Sequence, residues 1–116
     1  SGVIFKRDIF SKFGMFNEIF NIIGDYDFMM KISKSCNAHA INSPMINSRI
    51  HKNNFSKLHS KMFYEEYKIW FEENYRNKKN QEFLKNISFF KDKLNYLEIT
   101  HLLLNSEKKY SIIKKN

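Results

Sequence analysis

The sequence has little of the residue types that usually shape loop-rich or cross-linked domains. Its 116 residues include one cysteine, one proline and three glycines. The single cysteine, Cys36, excludes an intramolecular disulfide and suits a reducing compartment. The scarcity of proline and glycine argues against a disordered chain. The length fits one domain or part of one.

Several motifs that would identify a chemistry are also missing from the sequence. No apolar run approaches the ~18 residues needed to span a bilayer. The chain contains no Gly-rich phosphate loop, nucleophile elbow or paired-cysteine zinc motif. Its four histidines show no pair at the spacing of a metal site. The side chains left to carry chemistry are two neighbouring carboxylates and an isolated histidine.

Aromatic side chains and positive charge are abundant instead. The sequence has twelve Phe and six Tyr, and its formal net charge is +8. This charge permits nucleic acid, anionic lipid or phosphorylated substrates as partners. Because the basic residues are spread along the chain, we interpret most of them as solvated surface.

An apolar stretch opens the chain without a start methionine and predicts a buried strand over residues 3–5. We interpret this opening as the continuation of a longer protein. A short helix follows and ends at Gly14, as helices commonly do at glycine. The residues from Ala38 to Ile50 predict further strand, which Pro44 restricts to a sheet edge or a bend.

Two carboxylates, two residues apart, mark the start of a second predicted helix. We expect Asp25 to be the N-cap, because its carboxylate can accept hydrogen bonds from the first turn. Asp27 then lies in that turn, where the helix dipole favours negative charge. A carboxylate in this position can act as a general base or hold a metal. The alternative is that both residues only cap the helix, and spacing alone favours this alternative.

The second half of the sequence predicts two helices. The first runs from Leu58 to Arg76 with a broad aromatic face. The second has a heptad pattern, and Lys91 to Lys93 could split it in two. Its members form what we call the heptad face: Phe83, Ile87, Phe90, Leu94, Leu97, His101 and Leu104. We expect this face to pack on the aromatic helix, with a dimer interface or a membrane-surface helix as alternatives.

Taken in order, the stretches of the N-terminal half resemble the second half of a family 2 glycosyltransferase with the GT-A fold. In that family a strand and an Arg-containing turn precede a Gly-x-Phe-Asp-Glu loop. An acidic Glu-Asp-Tyr-Asp motif then opens a helix, and a Tyr-Arg-x-His-x-x-Asn-x-Ser segment follows. The matching stretches here are residues 1–13, 14–18, 24–27 and 48–56. Two departures are Asn17 in place of Asp and Gly24 in place of Glu.

The resemblance implies a role for each residue that matches a family motif. Asp25 matches the catalytic base, which takes a proton from the acceptor hydroxyl in an inverting transfer from a nucleotide-sugar donor. His51 matches a position at the donor diphosphate and its divalent metal, manganese or magnesium. Arg49 supports the same anionic group. Asp27 belongs to the substrate side of the site, mainly as a structural residue.

The resemblance also implies an α+β fold that is mostly helical overall. Residues 1–56 would be the acceptor-side, C-terminal half of a GT-A domain with a few short strands, and residues 57–116 a helical appendage. The family's N-terminal half, which holds the nucleotide and an Asp-x-Asp metal motif, has no counterpart here, so we expect this chain alone to be inactive.

Partners and location follow from the same resemblance. The acceptor would be a cell-surface glycan or a lipid-linked sugar, and the expected location is cytoplasmic, peripheral at the inner face of the membrane. The alternative functions are a basic helical module for nucleic acid or an anionic membrane, with nucleic acid disfavoured, and a helical domain that forms homo-oligomers through residues 83–104.

Overall fold

The protein divides into two compact units, Ser1–Asn54 and Phe55–Asn116. A computed structural model describes residues 2–47, 49, 55, 59–76 and 81–113, with side chains in the last segment described for residues 83–106. The described chain is mostly helical, as the sequence predicts. Among the described helices, none combines the length and the apolar composition that crossing a bilayer requires.

The first unit contains two short helices, α1 (Asp8–Phe13) and α2 (Gly24–Ile32). Gly14 ends α1 as predicted. Its φ of 80° is a left-handed conformation that favours glycine, and its N–H donates to the Phe10 carbonyl oxygen at 2.9 Å. Helix α2 ends at Ile32, and turns occupy residues 33–35.

Four phenylalanines gather at the centre of the first unit. The Phe28 ring is 1 % exposed and lies within 5.6 Å, between ring centroids, of three other rings. The partners of Phe28 are Phe5, Phe10 and Phe16. They come from the opening segment, from α1 and from the loop after α1, so one buried ring in α2 fixes three other parts of the unit. Phe20, Ile23 and Ile32 complete the buried set.

The strands predicted for the first unit do not form within the described residues. Residues 2–6 and 36–47 have no regular secondary structure, and the described chain contains no β-ladder. A strand is stable only when a neighbour receives its backbone hydrogen bonds. Neither segment meets such a neighbour in the described part of the unit, so the prediction of strands at residues 3–5 and 38–47 is wrong for this structure.

The second unit contains three described helices: α3 (Ser60–Arg76), α4 (Gln81–Lys85) and α5 (Ile87–Ile113). Helix α5 continues through Lys91 to Lys93, where the sequence had suggested a split, and the break falls at Asn86 instead. The α3 and α5 helices pack against each other. Aromatic side chains of all three helices form the core of the unit, with Tyr67, Trp70, Phe71, Phe83 and Phe90 all buried.

The heptad face, which runs through α4 and α5, provides part of this core. Phe83 and Phe90 stack with their ring centroids 4.8 Å apart, and both contact the Trp70 ring of α3. Further along, the Tyr64 hydroxyl donates to Glu98 Oε1 at 3.2 Å. At these positions the expected packing on the aromatic helix is confirmed.

Helix α5 also carries apolar side chains that face away from α3. They form what we call the outer stripe: Phe89, Tyr96, Ile99, Leu102 and Leu103, each more than half exposed. Phe89, Tyr96 and Leu103 recur every seven residues, which keeps them on one side of the helix. The helix therefore has two apolar faces, one buried against α3 and one exposed.

One lysine in the second unit lies against the aromatic core. The Lys93 Nζ is 5.2 Å from the centre of the Tyr67 ring, a cation–π distance. Burial of the ammonium group lowers the pKa of Lys93 from its ordinary 10.5.

Candidate functional site

The first turn of α2 contains both candidate carboxylates, but the helix begins two residues earlier than predicted. The Asp27 N–H donates to the Ile23 carbonyl oxygen at 2.8 Å, so Ile23 occupies the N-cap position. Its side chain is buried in the core and caps nothing. The prediction that Asp25 is the N-cap is therefore wrong, because the chain enters α2 from a buried apolar residue.

Asp25 is exposed on this turn, where one of its oxygens accepts a hydrogen bond. Its Oδ1 accepts a hydrogen bond from the Tyr26 N–H at 2.7 Å. The other carboxylate oxygen has no hydrogen-bond partner among the described residues. A carboxylate fixed through one oxygen and open at the other is suited to accept a proton from a bound hydroxyl.

Asp27 differs from Asp25 in its surroundings. Asp27 is half-buried, whereas Asp25 is exposed. Two residues along a helix correspond to a rotation of about 200°, so the two carboxylates point to different sides of α2. The structure thus brings Asp25 and Asp27 to one helical turn, but it does not pair them as joint ligands or as an acid and a base.

The loop after α1 runs antiparallel to α2. A Cβ on Gly14 would stand 3.7 Å from Lys31 Nζ, near the end of α2. The Phe16 and Phe28 ring centroids are 4.9 Å apart, near the middle. At the start of α2, the Asn17 carbonyl oxygen lies 3.8 Å from the position of a Cβ on Gly24. This loop therefore ends beside the turn that carries Asp25.

Asn17 shapes the end of the loop through both of its oxygens. Its side-chain Oδ1 accepts from the Ile19 N–H at 3.2 Å, and its backbone oxygen accepts from the Phe20 N–H at 3.2 Å. This is an Asx-type turn, which aspartate and asparagine form equally well because each uses a side-chain oxygen. Asn17 thus forms a turn that an aspartate at this position could also form.

Lys31 also belongs to this region, although no sequence motif indicated it. Its ammonium group lies beside Gly14, at the opposite end of the loop from Asn17. The absence of a side chain at Gly14 keeps that space open. Position in the sequence gave little indication of this contact, because it depends on the loop running back along α2.

The remaining predicted site residues are not brought to Asp25 by any described contact. Arg49 is exposed, and no hydrogen bond or ion pair joins it to a described residue. His51, predicted to bind the donor diphosphate and its metal, lies outside the described residues. Within the described ranges, no group of three or more His, Cys, Asp or Glu side chains could hold a metal ion.

Comparison of the chain with protein-family models, with curated proteins and with solved structures gives no match. The chemistry of the site therefore rests on its own residues. They supply an exposed carboxylate, a loop end beside it, and a separate cation at Lys31. The Asp25 carboxylate in this set can accept a proton from a polar ligand.

Proposed function

We propose that the first unit is the acceptor-side part of a GT-A domain in an inverting, nucleotide-sugar-dependent glycosyltransferase. Asp25 is its general base. The observation that carries this proposal is the open oxygen of Asp25, exposed on the first turn of α2 and next to the Asn17 turn. The order of the matching stretches along the sequence adds to it.

In the proposed reaction an acceptor hydroxyl binds at the free oxygen of Asp25. The carboxylate takes the hydroxyl proton while the acceptor oxygen attacks the anomeric carbon of the donor sugar. The bond from that carbon to the nucleoside diphosphate breaks on the opposite side, and the configuration inverts. The product is a glycoside, the leaving group is the diphosphate, and Asp25 holds the proton.

Arg49 has the positive charge, and His51 the hydrogen-bonding capacity, to hold the departing diphosphate. Asp27 contributes mainly to the geometry of the turn. A divalent metal, manganese or magnesium, would supply further positive charge to the diphosphate. The described residues do not form a site for that metal on their own, so its ligands would have to include residues outside them.

A nucleotide-binding part is also needed, since transfer requires a positioned donor as well as a base. This chain alone is therefore proposed to be inactive. Its acceptor is proposed to be a glycan or a lipid-linked sugar of the cell surface. The proposed place of reaction is the cytoplasmic face of a membrane, where the net charge of +8 would attract anionic lipids.

The test replaces Asp25 by asparagine in a protein that joins this chain to a donor-binding half. Asp25→Asn keeps the size of the side chain and the oxygen that accepts from Tyr26, but it removes the base. We expect turnover to fall at least ~100-fold, the usual scale for a general base, with donor affinity unchanged.

The matched control is Asp8→Asn. Asp8 is an exposed carboxylate in the first turn of α1, where it pairs with Lys12 at 3.5 Å. Its replacement should leave turnover within about twofold of the parent protein, because an exposed ion pair contributes little. If Asp25→Asn keeps most of the activity, Asp25 has only a structural role and the proposal fails.

A further inference from the structure

The outer stripe gathers five exposed apolar side chains on one described helix, and each exposes between 57 and 67 % of its surface. From Phe89 to Leu103 the stripe is ~21 Å long, at 1.5 Å per residue. The other side of α5, with Phe90, packs on Trp70 of α3. The stripe therefore faces away from the core of its own unit, and an exposed apolar patch of this kind commonly marks an interaction site.

Charged side chains are few along the stripe. From residue 94 to residue 106 the sequence has one Asp, Glu, Lys or Arg, which is Glu98. Its carboxylate accepts from the Tyr64 hydroxyl of α3 at 3.2 Å, so it is held toward α3. Asp92 is exposed and lies four residues before Tyr96, on the same side of the helix. The stripe is therefore free of charge from Tyr96 onward and carries one negative charge near its beginning.

Positive charge follows the stripe at the end of the sequence. Residues 108–116 contain neither Asp nor Glu but four lysines, Lys108, Lys109, Lys114 and Lys115. The first two belong to α5, which extends to Ile113. Clusters of four or more lysines on or beside an amphipathic helix favour anionic lipid headgroups, and each lysine contributes when it lies within a Debye length of the surface. One helix thus combines an apolar surface with a basic cluster.

Area and charge favour a lipid bilayer over a second copy of the chain as the occupant of the stripe. Five large side chains, each about three-fifths exposed, offer on the order of 500 Å² of apolar surface. A stable dimer of standard size buries about 800 Å² on each partner. Two copies with a net charge of +8 each also repel, whereas an anionic bilayer attracts the chain. Amphipathic helices bind bilayers through buried apolar area together with attraction to anionic lipids, and α5 supplies both.

We propose that the outer stripe is a membrane-binding surface, which inserts into the headgroup region of an anionic lipid bilayer. Helix α5 lies along the bilayer, with Tyr96, Ile99 and Leu103 turned toward the acyl chains and the lysines of residues 108–116 near the lipid phosphates. This surface deepens the membrane location proposed above and rests on that part of the proposal, not on Asp25 or on sugar transfer. Lipid binding is measured without transfer, so either proposal can fail alone.

The experiment measures binding of the full chain to sucrose-loaded vesicles by co-sedimentation. One set of vesicles contains phosphatidylcholine with about 30 % phosphatidylglycerol, which gives an anionic surface, and the other contains phosphatidylcholine alone. We expect binding to the anionic vesicles to be at least about tenfold tighter. Raising the ionic strength from about 0.1 M to about 1 M should weaken this binding, because the Debye length falls from ~10 Å to ~3 Å.

Two isoleucine substitutions, one on α5 and one on α3, test whether the stripe is the surface that inserts. Ile99→Ser removes an apolar side chain from the stripe and should weaken binding to the anionic vesicles at least about tenfold. Ile69→Ser is the matched control on α3, where Ile69 is 45 % exposed, and it should leave binding unchanged. Leu103→Ser repeats the test at a second position of the stripe. Far-UV circular dichroism checks that each variant keeps its fold.

Asp92→Asn tests the same surface in the opposite direction. It removes the negative charge near the beginning of the stripe and should strengthen binding to the anionic vesicles about fivefold. A gain of binding in this variant, with an unchanged circular dichroism spectrum, cannot come from unfolding.

Three results would overturn the proposal. The first is a chain that does not bind the anionic vesicles at low ionic strength. The second is binding that Ile99→Ser and Leu103→Ser leave as strong as Ile69→Ser does, which would mean adsorption through the lysines alone. The third is a dimer, seen by sedimentation velocity without lipid, that Ile99→Ser dissociates, which would assign the stripe to a second copy of the chain.

Discussion

Two glycines flank the loop beside α2, and only one of them has a backbone conformation that requires glycine. Gly14 has a φ of +80°, which strains any residue that carries a Cβ. Gly24 is helical, and a Cβ there would make only an ordinary contact with the Asn17 oxygen at 3.8 Å. We expect Gly14→Ala to destabilise the first unit by about 1 kcal/mol and Gly24→Ala to stabilise it by about 0.5 kcal/mol.

Urea unfolding followed by far-UV circular dichroism measures both changes in the free energy of unfolding. Each glycine serves as the control for the other, because the two substitutions are chemically identical. Equal effects of the same sign would contradict the role assigned to the backbone conformation of Gly14.

At the same scale, the sequence identified the type of candidate residue better than its position. The acidic pair indicated a helix start, and both carboxylates do lie in the first turn of α2. The N-cap assignment failed because Ile23 is drawn into the core, which fixes where the chain enters the helix. Burial of Ile23 depends on tertiary packing, so the local pattern of carboxylates could not predict it.

At the scale of the element, α5 offers two adjacent phenylalanines with opposite environments. Phe90 is 4 % exposed and contacts Trp70, Phe83 and Phe89, whereas Phe89 is 63 % exposed. We expect Phe90→Ala to cost about 3–5 kcal/mol, because it removes a buried ring and leaves a cavity. Phe89→Ala should change stability by less than about 0.5 kcal/mol.

The measurement is chemical unfolding of both variants with Trp70 fluorescence as the signal. The neighbouring positions share the same helix and the same chemical change, so their difference isolates burial. A large loss of stability in Phe89→Ala would show that the outer stripe is covered in solution.

The helices could be predicted from the sequence. The predicted strands, in contrast, do not form within the described residues. Apolar spacing along the chain is a local property, and it located α3 and the buried side of α5 to within a few residues. A strand depends on a partner that is remote in sequence. The apolar composition of residues 3–5 and 38–47 was correctly identified, but composition alone does not supply a neighbour for hydrogen bonds.

At the scale of the whole molecule, each unit has a core built from its own residues. Phe28 centres one core and Trp70 the other, and Trp70 is the only tryptophan in the sequence. Fluorescence therefore reports on the second unit, while far-UV circular dichroism reports on helices in both. We expect two unfolding transitions in circular dichroism, one of which coincides with the fluorescence transition. Phe90→Ala should lower the midpoint of that shared transition and leave the other unchanged.

Ile23→Ala provides the complementary change, since Ile23 is 1 % exposed in the first unit. It should lower the midpoint of the transition seen only by circular dichroism and leave the fluorescence midpoint unchanged. Coincident transitions in the unmodified protein, recorded by the two probes, would show instead that the units unfold together.

The contacts between α3, α4 and α5 close loops of different length, from which we predict the order in which the second unit folds. Phe71 and Phe83 are twelve residues apart, whereas Tyr64 and Glu98 are separated by 34. Closing the longer loop first would cost about 0.9 kcal/mol more in chain entropy. Kinetic φ-values should therefore be higher for Phe83→Leu than for Tyr64→Phe. The contact between Phe71 and Phe83 has the lower entropic cost of closure. During synthesis, both of its residues are also made before Glu98.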